Sequence, residues 1–399
     1  MDQSFAITPS VTWVGKIDHE LTHFHGEELS THRGSSYNAY LVRGEKTVLI
    51  DTVWRPYAYQ FVENLESVID LKEIDYIISL HSEIDHSGSL PALLEKIPGT
   101  PVYCSQNGAK MLKAHYHQDW NFHPVKTGDT LDIGGGKTFT FVEARMLHWP
   151  DNMMAFLSGD NILFSTDVFG QHFATEFMYN DQVNQDALYY EAEKYYANIV
   201  APFSKMAAMK LKEVKAMNLP LSMICPSHGV IWRDNPGQIV EAYEKWSSYY
   251  HHNKITIVYD TMWQSTRKMA EAIAAGIKQA DSEVEVVVRS ASKHDKNDIV
   301  TDVFNSKAVL FGSPTVIRSP LSPIVAVLDL INAMDIKDKK AATFGSYGWS
   351  GEAAKVMAEH LEKAGFEIVQ DGIRTMWVPD EDALEQCRAF GEEFAKKVK

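Results

Sequence analysis

Cysteine is scarce: Cys104, Cys225 and Cys387 are three among 399 residues, and no pair of them forms a CxxC. Neither a disulfide framework nor a rubredoxin-type iron site is written in that spacing. No apolar run approaches the roughly 20 residues that span a bilayer, so no membrane role is expected. Basic residues are also in deficit, 38 against 53 acidic ones for a net charge of −15, which gives nucleic-acid binding no support. The opening MDQSFAITPS is polar and lacks the basic-apolar-small order of a leader, so a cytoplasmic location is expected. No G-x-G-x-x-G occurs, which argues against Rossmann-type NAD(P)H binding. GGGKT at 134–138 lacks the earlier glycine of a phosphate loop and runs into a strand-like stretch, so it is rejected as one.

What is present is ample core. The chain is 45% hydrophobic and 23% charged, and too long for one ordinary domain of roughly 100–200 residues. A seam is expected at WSSYYHHNKITIVYD (246–260), where an amphipathic stretch from Pro236 to Tyr250 closes one pattern and ITIVYD opens another. The expected domains are 1–250 and 254–399. The first is rich in short strands, with hairpins turning at Arg43-Gly44-Glu45, at Gly134 to Gly136 and near Gly159 to Asn161. A helical stretch from Asp186 to Met217 falls among them, so an α+β sandwich is expected. The second alternates ITIVYD, VEVVVRS, AVLFGSP, AATFGSYG and FEIVQDGIRT with helical stretches such as Gln264 to Ala280, Ile324 to Ala333 and Glu352 to Ala364. That alternation implies a parallel, doubly wound sheet with ligands at the carboxyl ends of its strands.

One segment stands out in the first domain. HSEIDHSG places His81, Glu83, Asp85 and His86 directly after the largely apolar run Ile74 to Leu80. His148, Asp167 and His228 follow, or end, three further strand-like runs. One divalent ion usually takes about four to six ligands, so four imidazoles and three carboxylates suit two neighbouring ions sharing a carboxylate. Mixed imidazole and carboxylate ligation without thiolate suits iron, manganese or zinc. His115 and His117 in a polar helical stretch, and His251 and His252 at the seam, are read as surface residues. Cys225 is read as a small buried residue on a strand.

The order H-x-E-x-D-H, His, Asp, His resembles the metallo-β-lactamase superfamily, whose zinc hydrolases carry H-x-H-x-D-H. Glu83 at the second position is similar to the flavodiiron proteins, also called A-type flavoproteins, and the resemblance covers essentially the whole chain. It implies a metallo-β-lactamase-like αββα sandwich followed by an α/β flavodoxin-like domain. It implies that His81, Glu83 and His148 hold the iron nearer the flavin and that Asp85, His86 and His228 hold the second, with Asp167 bridging. His25, His172 and Tyr195 resemble positions lining the iron pocket.

Three loops of the second domain read as an FMN site. Asp260 ends the first strand, and Thr261, Met262, Trp263, Gln264, Ser265 and Thr266 form a hydroxyl-rich entry into a helix, where backbone N–H groups can cradle a phosphate. Ser313, Pro314, Thr315, Val316 and Ile317 form the second loop, and Ser346, Tyr347, Gly348, Trp349 and Gly351 the third, with rings available to stack on an isoalloxazine. These are similar to the FMN loops of the family's flavodoxin-like domain. The resemblance implies electrons arriving from a rubredoxin-type carrier, nitric oxide or dioxygen as substrate, and a head-to-tail homodimer (or dimer of dimers) bringing each flavin beside the partner's irons. Nitric oxide is the favoured substrate, on the likeness to the minimal two-domain class. The alternatives are a zinc hydrolase with a flavodoxin-like appendage, which Glu83 argues against, and an electron carrier with an inert metal domain.

Overall fold

The computed structural model describes residues 4–399; the first three residues of the polar segment read above as no leader lie outside the described residues. The chain divides into two compact units, Met1–Tyr195 with Phe203–Glu244, and Tyr196–Pro202 with Lys245–Lys399.

In the first unit, short runs of Val, Ile, Phe and Tyr separated by glycine turns form two large sheets, beside two small two-stranded ones. The larger comprises β1 (Phe5–Ala6), β2 (Val11–Trp13), β3 (Tyr40–Arg43), β4 (Thr47–Ile50), β5 (Ile74–Ile78), β6 (Val102–Ser105) and β7 (Phe122–Val125), in that spatial order. It is antiparallel up to β4 and parallel from β4 to β7. The smaller holds β8 (Thr130–Gly134), β9 (Lys137–Glu143), β10 (Met153–Leu157), β11 (Ile162–Thr166) and β12 (Met223–Pro226), also in order, with only β11 and β12 parallel. Alternate residues of the two sheets face each other: Val42, Val48, Ile50 and Ile78 share one buried cluster with Phe139, Phe141, Ala155, Leu157 and Phe164. Burying a side chain of that kind contributes about 1.5–3 kcal/mol, which makes this inter-sheet layer the stabilising core of the unit.

The helical stretch expected from Asp186 to Met217 is not continuous. An α-helix Gln185–Tyr195 passes into a π turn at Tyr196–Val200 and a 3₁₀ turn at Ala201–Phe203 before helix Ser204–Ala216 begins. Pro202 has no N–H to continue the helical ladder, and its ring disfavours a helical residue before it. Tyr195 sits at this break.

The second unit has one wholly parallel sheet of β13 (His252–Tyr259), β14 (Glu285–Ser290), β15 (Ser306–Gly312), β16 (Lys340–Tyr347), β17 (Glu367–Ile368) and β18 (Ile373–Met376). The order is β14-β13-β15-β16-β17, with β18 also pairing β16. FEIVQDGIRT, expected as one strand, is therefore two. The chain leaves the ladder between Val369 and Gly372, where a Cβ on Gly372 would lie 2.5 Å from Thr343 Oγ1. Among the described residues no helix is long and apolar enough to cross a membrane.

Helices Ser265–Ala280 and Glu381–Lys397 touch backbone to backbone through two glycines. A Cβ on Gly276 would meet the Arg388 carbonyl oxygen at 1.9 Å, and one on Gly391 the Ile273 carbonyl oxygen at 2.2 Å. On an open helix Gly→Ala would gain up to about 1 kcal/mol. Here overpacking costs about 1–3 kcal/mol and wins. Gly276→Ala is expected to lower the urea midpoint of the second unit; an unchanged or higher midpoint would show that the helices do not meet there.

Candidate metal centre and flavin site

The strand ends determine where the polar residues emerge. β5 runs out at Ile78, and the chain passes through Leu80, whose N–H donates to Asp51 Oδ1 at 2.7 Å, into His81. Glu83 precedes a single helical turn, Ile84–Ser87, that carries Asp85 and His86. Thr52 anchors that turn, its N–H and Oγ1 both donating to the His86 carbonyl at 2.8 and 2.7 Å. Because β11 and β12 are parallel, Asp167 and His228 leave the second sheet at one edge, and Ser227 N–H donates to the Thr166 carbonyl at 2.8 Å. His148 lies in the β9–β10 connection. Met153 N–H at the start of β10 donates to the Leu80 carbonyl at 3.0 Å, joining the two sheets beside the site.

All seven residues converge. His81 Nε2 and His148 Nε2 lie 3.2 and 3.5 Å from Glu83 Oε2, and 3.6 and 3.4 Å from Asp167 Oδ2. His86 Nε2 and His228 Nε2 lie 3.2 and 3.1 Å from Asp85 Oδ2, and 3.0 and 3.3 Å from Asp167 Oδ1. Each oxygen of Asp167 thus serves a different group. Both groups, His81–Glu83–His148 and Asp85–His86–His228, bring their donor atoms within 4.8 Å of one another.

Four of the inward-facing atoms lack a hydrogen-bond partner. Both oxygens of Asp85, Oδ1 of Asp167 and Nε2 of His86 are buried with no hydrogen bond, although imidazole and carboxylate are close. Groups aimed at a common point and not at each other suit cations between them. Burial disfavours every charge here, and the facing groups outweigh it. Asp85 and Asp167 are held well below the usual carboxylate range beside His86 and His228, and Glu83 falls to about 2 beside His25 and His81. Against the same burial, Asp151 and Glu83 raise His81 to about 10, Asp167 and Asp85 raise His228 to about 9, and His86 also rises well above its ordinary value. Protons thus balance the carboxylates when no cation does, and a dication takes their place.

Around this cluster, His25, at φ +53°, brings Nε2 to 2.7 Å from Glu83 Oε1. His172 is buried, with Nδ1 2.9 Å from Ser35 Oγ, its Nε2 without a partner, and its ring 5.3 Å from that of His228. Tyr195 stands against both His172 and His228, at ring separations of 5.0 and 6.2 Å. His115, His117, His251 and His252 are exposed, and Cys225 is buried on β12. Asp151 and Asn152 were not anticipated from the sequence, and both touch the cluster from behind. Their only sequence signal is a polar pair following His148 and bounded by the apolar strand β10.

In the second unit the three loops meet at the strand ends. Helix Ser265–Ala280 starts after Gln264 (φ +69°) with no side-chain cap, leaving its first N–H groups unclaimed by side chains. Thr266 Oγ1 and Ser346 Oγ lie 3.2 Å apart, joining the first loop to the third. Thr315 N–H donates to the Ser346 carbonyl at 2.9 Å, joining the second to the third. That approach requires glycine at 345, since a Cβ there would meet the Ser313 carbonyl oxygen at 2.1 Å. Asp260 turns inward, accepting from Thr261 N–H at 2.8 Å and Ser292 Oγ at 2.9 Å. A cleft of about 410 Å³ is lined by Thr315, Ile317, Arg318, Gly348, Trp349 and Ser350. Trp263, Ile317 and Trp349 are 86–94% exposed, unusual for large apolar groups unless a planar ligand covers them. Trp377, unremarked in the sequence, packs 6.3 Å from Trp349.

Two family models match the chain: an ODP family beta lactamase over residues 36–229 and a flavodoxin over residues 257–391. The anaerobic nitric oxide reductase flavorubredoxin of Escherichia coli O1:K1 is 48% identical over 395 residues, covering 99% of this chain and 82% of that protein. The rubredoxin oxygen:oxidoreductase of Desulfovibrio gigas superposes with a TM-score of 0.95 at 35% identity, covering 99% and 98% of the two chains. The flavodiiron protein of Giardia intestinalis superposes with a TM-score of 0.94 at 31% identity, covering 99% and 97%. The chain belongs to the flavodiiron proteins. Its metallo-β-lactamase-like and flavodoxin-like folds are those expected from the sequence.

Asp167→Ala removes the carboxylate common to both groups of this flavodiiron chain. Iron content is expected to fall to background while one flavin per chain is retained, by metal analysis and flavin absorbance; full iron retention would remove Asp167 from the centre. Trp349→Ala is expected to weaken FMN binding by roughly tenfold or more, since stacking on an aromatic ring contributes about 1–3 kcal/mol. Unchanged affinity by flavin-fluorescence titration would leave Trp349 without a stacking role.

Proposed function

We propose that this chain is a flavodiiron reductase that takes electrons from a rubredoxin-type donor and delivers them through FMN to a non-haem diiron site. There it reduces nitric oxide to nitrous oxide, dioxygen to water, or both. The observation that carries this reading is Asp167, whose two oxygens face two separate imidazole–carboxylate groups. Each group alone supplies three donors, and sharing Asp167 gives each a fourth, a set suited to two adjacent ions. The ions would be held by His81, Glu83 and His148 on one side and by Asp85, His86 and His228 on the other. The FMN would be held by the loops at 260–266, 313–317 and 346–351. The names of the relatives, a nitric oxide reductase and a rubredoxin oxygen:oxidoreductase, support this choice of donor and gases.

When bound, the irons supply two adjacent redox-active Lewis acids and the FMN a one- and two-electron relay. Two nitric oxide molecules with two electrons and two protons give nitrous oxide and water; dioxygen with four of each gives two waters. The protein's own groups shape that pocket. Burial, with His228 beside it, holds His172 well below the usual imidazole value, so His172 is neutral and tethered through Nδ1 to Ser35. Burial, with Asp167 nearby, pushes the Tyr195 phenol well above its ordinary value, so Oη keeps its proton and can donate it in a hydrogen bond. His25 takes one oxygen of Glu83 and leaves the other facing His81 and His148.

The working units are a diiron domain at 1–250 and an FMN domain at 254–399, assembled as a head-to-tail homodimer or a dimer of such dimers, in the cytoplasm. Three buried free thiols, Cys104, Cys225 and Cys387, suit a reducing compartment. The zinc-hydrolase alternative is not favoured, because both the metal and flavin modules match within relatives that span the whole chain.

The expected outcome of an assay with reduced rubredoxin is sustained consumption of nitric oxide under anaerobic conditions, with dioxygen run in parallel. Preference for dioxygen would make the same centre an oxygen reductase. Iron- and flavin-replete protein that consumed neither gas would end the reductase reading.

A further inference from the structure

The two candidate iron positions are not held alike from behind. Asp151 is 1% exposed, and its carboxylate lies against His81, with Nδ1 3.2 Å from Oδ1 and 3.1 Å from Oδ2. Ser82 N–H donates to Asp151 Oδ2 at 2.7 Å, and the Asp151 carbonyl accepts from Ser105 Oγ at 2.8 Å, so the carboxylate is fixed from two directions. A carboxylate can only accept. With a cation bound, His81 would therefore keep its proton on Nδ1 and turn a bare Nε2 to the side where Glu83 and Asp167 lie. His228, on the other side of Asp167, has its Nδ1 2.7 Å from a neutral acceptor, the Ser36 carbonyl.

The next residue acts on the same side. Asn152 is fully buried; its Oδ1 accepts from Trp149 N–H at 2.7 Å, and its Nδ2 donates to Asp167 Oδ2 at 3.3 Å. That oxygen is the one facing His81 and His148, and Trp149 adjoins His148. Asp151 and Asn152 thus touch three of the four donors on one side, directly or through the neighbouring residue.

We propose that Asp151 is a positioning residue that sets the tautomer and donor strength of His81, and so makes the two metal positions unequal. An imidazole whose second nitrogen faces an anion is a stronger donor than one facing a carbonyl. The His81–Glu83–His148 position is accordingly the tighter of the two and the one more stabilised in the higher oxidation state. This inference rests on the diiron reading above.

Asp151→Asn tests it with almost no change of shape. Ser82 N–H keeps an oxygen opposite it, and that oxygen also lies 3.1 Å from His81 Nδ1, so the variant retains an acceptor there and removes the negative charge behind His81. In the full chain with FMN bound, chelator competition with ferrous ion is expected to show one of the two affinities weakened by about 10–100-fold, the second unchanged, and flavin content intact. Two wild-type affinities in the variant would overturn the proposal. A wild-type chain binding fewer than two ions would instead overturn the diiron reading, so the two failures are distinguishable. Should the variant not fold, ¹⁵N-histidine NMR of the zinc-loaded wild-type chain decides: the His81 proton on Nδ1 supports the role, and a proton on Nε2 removes it.

Discussion

Burying three carboxylates beside four imidazoles is the constraint on which the first unit depends. An isolated charge moved out of water costs several kcal/mol or more, and close proximity makes three anions worse. The fold meets this by interleaving, so that Glu83, Asp85 and Asp167 each turn at least one oxygen to imidazole nitrogens and Asp167 lies between the two groups. Such a cluster is stable only where its members cannot relax apart. The inter-sheet layer of Phe139, Phe141, Phe164 and their aliphatic neighbours provides that rigidity, because every contributing loop begins or ends on a strand of that layer. Bound cations would take the place of the protons that otherwise balance the charge.

The second unit handles charge in the opposite way. No basic residue lies within the turn 261–264, and a phosphate there would be met by backbone N–H groups, hydroxyls and the start of a 16-residue helix. Its rings are left exposed, whereas those around the metal centre are enclosed. The contrast follows from the ligands: a metal ion needs a closed set of donors, while a flavin passing electrons onward needs an accessible edge. In chemical terms the two units divide the work, one suited to a flavin that relays electrons and the other to the metal ions that would carry out the reduction. Within the metal unit a further division separates residues that face the ions from Asp151 and Asn152, which face the residues.

Legibility in the sequence varied with the range of the interaction. The H-x-E-x-D-H spacing was readable because a strand end and one helical turn place four polar groups together locally. His148, Asp167 and His228 were readable as polar residues at the ends of apolar runs. The interrupted helix at Tyr196–Phe203 was hidden because its hydrophobic pattern continues through Pro202, and the split of FEIVQDGIRT into two strands because both halves look strand-like. Asp151 was missed for a different reason: a lone aspartate after Trp-Pro reads as a turn, and only its distance to His81, 70 residues earlier, gives it meaning. Trp377 is similar, since nothing nearby in sequence links it to Trp349.

Composition and pattern alone determined the two-part architecture and the parallel sheet of the second unit, and singled out the polar residues at strand ends that the structure brings together. These depend on period, on strand ends and on residue chemistry, all local properties. Only the tertiary structure decided which oxygen of Asp167 faces which group, that His81 and His228 have unlike acceptors behind them, and that three loops of the second unit join through Thr266, Thr315 and Ser346. Those are matters of orientation between distant segments. Orientation is settled by packing two sheets face to face, which no stretch of sequence encodes by itself.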